Sequence, residues 1–221
     1  MKRRKALVFG GTGLTGSELI QQLSHDDRYH EVVIFVRKES NLVGDKVRQV
    51  VIDFDQMQDF AAQIEGDDLF ICLGSTITKA GSKEAFFKID HDYVIQAAQM
   101  AASSGVKRAA VITAVGSNAN SLFFYPKVKG LVEQELMKLG FDSLHIFRPS
   151  LLLGPRKEFR RGERLAVKLS EWIPGIYFGP FHKYRPVHAR VVARAMIQMM
   201  HAGDKGCHIY ESEDIQKIGA V

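Results

Sequence analysis

The stretch KALVFGGTGLTGSE, residues 5–18, limits the folds open to this chain more than any other. KALVFG (5–10) is a short buried strand pattern, and Leu14, Leu19, Ile20 and Leu23 recur at helical spacing between Gly13 and Leu23. Four glycines separate the two patterns. Gly11-x-Gly13-x-x-Gly16 fits the dinucleotide fingerprint, and Gly10-x-x-Gly13-x-x-Gly16 is a second spacing of the same device. The first glycine allows the tight turn and the second lets a pyrophosphate approach bare backbone. The third lets the helix lie close to the strand, with the phosphate at the helix's positive end. A strand before the loop and a helix after it turn a weak motif into a firm expectation.

The same alternation runs along the rest of the chain. Strand patterns occupy 31–37, 47–54, 68–74, 107–113 and 143–148. Helical patterns fall between them: one carries Phe60, Ala61 and Ile64, one runs from about Lys83 to Ser104, and one follows Pro126. Strands buried on both faces, each followed by a helix, specify a parallel sheet covered on both sides. The expected fold is α/β, a doubly wound Rossmann-type sheet. With 221 residues, 46% of them hydrophobic, one core suffices, so residues 1–221 are read as a single domain. Residues from about 150 to 221 would form a smaller substrate-side lobe. This region holds a basic run at 156–164, a helix at 163–172 and the segment WIPGIYFGPFHKYRP, which walls the substrate or simply packs over the sheet. A helix at 189–202 and a strand at 207–210 close the chain.

Charge and cysteine usage exclude several function classes. The net charge is +5, but outside 2–5 and 156–164 the basic residues are interleaved with acidic ones, so no nucleic-acid partner is expected. No run of roughly 18 apolar residues exists, and the first strand follows MKRRK at once, so a soluble, cytoplasmic protein with no membrane partner is expected. Cys72 and Cys207 read as buried free thiols. No cluster has metal-ligand spacing, so no metal is expected.

The second strand selects the dinucleotide. An NAD site places an acid about 20 residues beyond the glycines to hold the ribose hydroxyls. Here the strand ends in VRK, so Arg37 and Lys38 stand at that position. A guanidinium pairs with a 2′-phosphate, so NADP(H) is favoured over NAD(H), unless both are merely surface charges at a turn. Asp53 and Phe54 end the third strand, suited to an adenine contact or equally to a helix cap and a core position. Gly74, Ser75 and Thr76 end the fourth, where glycine lets a cofactor pass closely.

GGTGLTG, CLGST, KIDHDYVIQAAQMAASSGVKR, YPKVKG, FRPSLLLG and RPVHARVVARAM occur in the order and spacing of the atypical short-chain dehydrogenase/reductases. The chain most resembles their Tat-interacting-protein-like, NADPH-binding branch, and the resemblance covers almost its whole length. It implies that Thr12, Gly13, Leu14 and Thr15 line the phosphate loop, that Arg37 and Lys38 contact the 2′-phosphate, and that Leu73 and Gly74 contact the cofactor at strand four. It further implies that Pro149, Ser150 and Leu152 pass the nicotinamide, that Arg160 closes over the cofactor, and that Tyr125 and Lys129 are the catalytic pair.

In that superfamily the tyrosine exchanges a proton with the substrate oxygen while the nicotinamide exchanges hydride. A free phenol, with a pKa of about 10, needs a nearby ammonium to stabilise its phenolate. The lysine also binds the nicotinamide ribose. Four residues put the two on one helix face, although Pro126 pushes Tyr125 towards an extended cap position. The superfamily's third member, a serine after strand five, falls at Ala114, with Thr113 or Ser117 as the substitute. Its helix asparagine is replaced by Asp90 and His91, read as solvated, and His188 reads as a cap or packing residue of the last long helix. The chemistry expected is hydride transfer between NADP(H) and a small carbonyl or alcohol substrate. The alternative is an NADPH-binding regulatory or scaffold protein with a protein partner and little turnover.

Overall fold

Alternation along the strands decides the layers of this molecule. In the computed structural model, which describes residues 3–42, 44–154 and 185–220, β1 (Arg4–Phe9) turns Ala6 and Val8 to one side and Leu7 and Phe9 to the other, all fully buried. Seven strands form one sheet in the order β3-β2-β1-β4-β5-β6-β9. They are β1, β2 (Tyr29–Val36), β3 (Val47–Val51), β4 (Asp68–Ile71), β5 (Arg108–Ile112), β6 (Ser143–Arg148) and β9 (Gly206–Glu211). Every pairing in it is parallel. A short parallel pair, β7 (Leu152–Leu153) with β8 (Val187–His188), stands apart.

On one face Leu7, Phe9, Val33 and Leu69 pack against α4 (Tyr93–Ser103) and α5 (Phe124–Leu136) through Val94, Ala98, Val132 and Leu136. On the other, Val8, Val32 and Ile34 meet α1 (Leu14–Ser24) and α6 (Ala189–Ala202) through Leu19, Leu23, Val192 and Met196. This is the expected doubly wound Rossmann-type sheet. The strand order reverses between β1 and β4, which opens a crevice at their carboxyl ends.

The opposite end is fastened by charge. Asp68, fully buried at the start of β4, accepts from the Tyr29 hydroxyl at 2.6 Å, from Arg108 Nε at 2.5 Å and from Arg4 Nη1 at 3.3 Å. Strands β1, β2, β4 and β5 thus share one carboxylate. Removing one partner of such a buried cluster costs about 3–5 kcal/mol. The site lies at the other end, where strand exits rather than strand starts are exposed.

Several elements differ from the sequence expectation. The helix expected over 83–104 is α3 (Lys83–Phe87), a single π turn (Lys88–Asp92) and α4, with a short α2 (Ile77–Ala80) before them. The region around Phe60 is 3₁₀ rather than α, over Phe54–Gln63. A helix α7 (Ser212–Gly219) follows β9, its start fixed by a capping box between Glu211 and Asp214. Cys207, expected to be buried, is exposed because β9 is the edge strand. Cys72 is half-buried, and burial of its thiol pushes the pKa up to about 12, which removes it as a nucleophile. Among the described residues no helix is long and apolar enough to cross a membrane. The expected basic run at 156–164, the helix at 163–172 and most of the Gly/Pro/aromatic segment lie outside the described residues.

Candidate nucleotide-binding and proton-transfer site

The glycine loop is built by contacts that leave no room for side chains. Gly10 has φ +80°, and a Cβ there would lie 2.5 Å from the Cys72 carbonyl carbon, so the exits of β1 and β4 touch. A Cβ on Gly16 would lie 2.2 Å from the Gly10 carbonyl oxygen, so α1 starts against the strand's own turn. Gly13 is the N-cap of α1 with no side chain capping it. The helix therefore presents uncapped N–H groups and its positive end to the crevice. Thr15, in the first turn, is 5% exposed, and its buried hydroxyl oxygen has no partner among the described residues. A bare cradle, an open helix end and an orphaned hydroxyl together fit a pyrophosphate.

Arg37 and Lys38 follow β2, exposed, and among the described residues neither is held in an ion pair. Arg37 lines an open depression of about 480 Å³ with Val51, Ile52, Asp53, Phe54, Asp55 and Tyr93. That volume lies in the range of small-molecule sites. Asp53 caps the 3₁₀ segment by accepting from the Asp55 amide at 2.9 Å, and Phe54 is buried against Phe9 and Tyr93. Each residue therefore fills its structural role while also facing the depression.

At the other end of the crevice, α5 begins at Phe124, before Pro126 rather than after it. Proline is tolerated there because first-turn N–H groups lack helical acceptors. Tyr125 thus lies inside the helix one turn before Lys129, not at an extended cap. It is 38% exposed, with its ring 5.7 Å from that of Phe86. Gly130 completes the motif: a Cβ there would meet the Ala119 amide nitrogen at 2.1 Å, so the loop after β5 crosses the helix at this point.

Lys129 is 4% exposed, and its Nζ lies 2.6 Å from Asp90 Oδ1, an ion pair without the alignment of a hydrogen bond. Oδ2 of Asp90 accepts from the Ser75 amide at 2.7 Å. A Cβ on Gly74 would lie 3.4 Å from Asp90 Oδ1 and 3.8 Å from Lys129 Nζ. The pair thus sits at the exit of β4, beside Leu73, Gly74 and Ser75. Asp90 and His91 are buried, not solvated as the sequence suggested. Phe86, Asp90 and Val94 recur every four residues and all face inward, a spacing that could have revealed Asp90.

Thr113, the expected third member, directly follows β5. Its buried hydroxyl donates to Glu133 Oε1 at 2.6 Å, and Glu133 in turn pairs with Arg148. The Ser117 hydroxyl donates to the Ala114 carbonyl at 2.6 Å. Both hydroxyls serve local packing. His188 is the backbone N-cap of α6, exposed and without a side-chain cap bond. Pro149 accepts from the Val115 amide at 3.0 Å, the Ser150 amide donates to Ser212 Oγ at 2.6 Å, and Leu152 pairs with Val187 in the small sheet. A Cβ on Gly154 would meet Leu14 Cδ1 at 2.9 Å, so this segment returns across the start of α1. Arg160 lies outside the described residues.

Comparison with known proteins points to a nicotinamide nucleotide. Residues 10–153 match a family model described as NAD(P)H-binding. Protein HTATIP2 of Rattus norvegicus is 31% identical over 99% of this chain and 90% of its own length. The mitochondrial protein FMP52 of Candida albicans is 29% identical over 90% of this chain and 89% of its own. Among solved structures, the UDP-N-acetylglucosamine 4-epimerase of Methanobrevibacter ruminantium superposes with a TM-score of 0.70 at 17% identity, covering 96% of this chain and 77% of the epimerase. The ADP-L-glycero-D-manno-heptose-6-epimerase of Helicobacter pylori gives a TM-score of 0.70 at 18% identity, covering 98% and 81%. These two share the fold. The chain belongs to the NAD(P)H-binding family, as an atypical short-chain dehydrogenase/reductase of the HTATIP2 type.

Proposed function

We propose that this chain is an NADP(H)-dependent oxidoreductase that interconverts a carbonyl and an alcohol, with Tyr125 as proton donor and acceptor. One observation carries the reading: Lys129, one turn beyond Tyr125, brings its ammonium to Gly74 at the exit of β4, on the crevice that also holds the glycine loop. In this reading Gly10, Thr12, Gly13, Leu14, Thr15 and Gly16 hold the pyrophosphate. Arg37 and Lys38 take the 2′-phosphate, and Asp53 and Phe54 flank the adenine. Leu73, Gly74, Ser75, Pro149, Ser150 and Leu152 border the nicotinamide half, and Arg160 is assigned a closing contact.

Bound NADPH supplies hydride to the substrate carbon. Tyr125 gives its phenolic proton to the substrate oxygen in reduction and takes one back in oxidation. Lys129 donates to the ribose hydroxyls and favours the phenolate that Tyr125 leaves behind. The substrate is a small carbonyl or alcohol, with no nucleic acid or membrane involved, and we place the protein in the cytoplasm on sequence grounds alone.

Thermal unfolding with added nucleotide tests the cofactor assignment. A ligand that binds only the native state raises its stability by about 2.7 kcal/mol at 100 times its Kd. NADPH should raise the midpoint more than equimolar NADH, and Arg37→Glu with Lys38→Glu should erase the difference. Loss of such charge-assisted contacts corresponds to roughly a tenfold to hundredfold weaker NADPH binding. Equal shifts from both nucleotides in the unaltered protein would overturn the preference.

A second reading, an NADPH-binding regulatory or scaffold protein, draws on the hydroxyls of Thr113 and Ser117, which are both committed elsewhere. Tight NADPH binding with no turnover across a panel of carbonyls would favour it.

A further inference from the structure

We propose that Asp90 is a positioning residue of this site, holding the Lys129 ammonium at the exit of β4 before any ligand arrives. The proposal rests on the reading above for what Lys129 then binds. Its two oxygens serve two different elements: Oδ1 meets Lys129 of α5 at 2.6 Å, and Oδ2 accepts from the Ser75 amide, just past β4, at 2.7 Å. The carboxylate therefore fixes the lysine relative to the strand exit that borders the crevice. Its side chain and that of Lys129 are 1% and 5% exposed.

The neighbouring charges are committed elsewhere. Glu133 pairs with Arg148, His91 with Asp92 and Glu135, and Lys88 with Asp55, while Lys83 lies over the Phe124 ring. Asp90 and Lys129 are left to each other. Stability alone is a weak reason for such a pair, because well-packed apolar residues of similar volume often match or exceed a buried ion pair. Position within the helix supports a role at the site. Asp90 lies in the π turn Lys88–Asp92, a local widening that is common at functional sites. An ammonium carries three donors, and a carboxylate at one side leaves others for a ligand's hydroxyls.

Reductive methylation with formaldehyde and cyanoborohydride, followed by peptide mass spectrometry, tests the pair without any cofactor. Exposed Lys127 is the internal reference. In the unaltered protein Lys129 should react at least about tenfold more slowly than Lys127, because burial and the ion pair shield its amine. Asp90→Asn should raise the Lys129 rate about tenfold, because the ion pair that shields the amine is gone, and leave Lys127 unchanged. Asp90→Glu should restore part of the protection. In the second arm, Asp90→Asn should weaken NADPH binding about tenfold, while 2′,5′-ADP, which lacks the nicotinamide ribose, binds as before.

Equal reactivity of Lys129 and Lys127 in the unaltered protein would overturn the proposal even if Asp90→Asn fails to fold. So would a variant that frees Lys129 but binds NADPH normally, or one that loses NADPH and 2′,5′-ADP equally. If the unaltered protein binds no NADPH while the methylation rates follow expectation, the oxidoreductase reading fails and Asp90 still holds Lys129.

Discussion

Tyr125→Phe is expected to lower NADPH-dependent carbonyl reduction by about 10²- to 10⁴-fold, the usual contribution of a positioned general acid. The substitution removes one oxygen and keeps the ring. Packing against Phe86 is retained at the same 5.7 Å centroid distance, and the start of α5 depends on backbone rather than on the hydroxyl. Tyr125 is 38% exposed, so the change in stability should stay within about 0.5 kcal/mol. NADPH affinity should also hold, because none of the contacts assigned to the cofactor belongs to Tyr125. Steady-state NADPH oxidation paired with a fluorescence titration separates the two quantities. Undiminished turnover in the variant would mean that the substrate proton comes from another group.

The second large effect is expected at Gly16. A Cβ there falls 2.2 Å from the Gly10 carbonyl oxygen and 2.8 Å from Gly11 Cα, both backbone atoms that move only if the β1–α1 turn opens. Gly16→Ala should therefore lose about 1–3 kcal/mol, a drop of several degrees in midpoint, together with nucleotide binding. Gly13→Ala provides the contrast. Its nearest neighbour, the Gly10 oxygen, lies at 3.2 Å, so the fold should yield slightly and survive. A methyl group would still cover the backbone that a pyrophosphate must approach. Unfolding midpoints and NADPH titrations of both variants should give loss of stability and binding for the first, and chiefly loss of binding for the second. Unimpaired NADPH binding by Gly13→Ala would remove the phosphate from this loop.

The reach of the sequence follows from how local each signal is. Strands buried on both faces and a glycine loop between strand and helix are written in consecutive residues, so β1, α1, β6 and α6 stand close to where periodicity puts them. The partner of Lys129 is different. Asp90 lies 39 positions earlier, and a charged residue on a helix reads as solvated until the inward spacing of Phe86 and Val94 is weighed. The partner of Thr113 is hidden for a similar reason: residue type offers a hydroxyl, but only the fold reveals that Glu133 takes its hydrogen bond. Pro126 suggested a helix boundary, yet unsatisfied first-turn N–H groups make proline harmless there. Helix α7 carries only a faint local sign, acids at Glu211 and Asp214, because a glutamate rather than a serine opens the box.

Hydride transfer at the exit of β4, with Tyr125 supplying the proton, would leave an isotopic trace in the product. The most direct test is single-turnover transfer from NADPH deuterated at the nicotinamide C4, with mass spectrometry of the alcohol formed from a panel of aldehydes and ketones. Deuterium is expected on the former carbonyl carbon of at least one product, strongly reduced in Tyr125→Phe. Tight NADPH binding with no deuterium transferred to any of them, or transfer that Tyr125→Phe leaves intact, would contradict it.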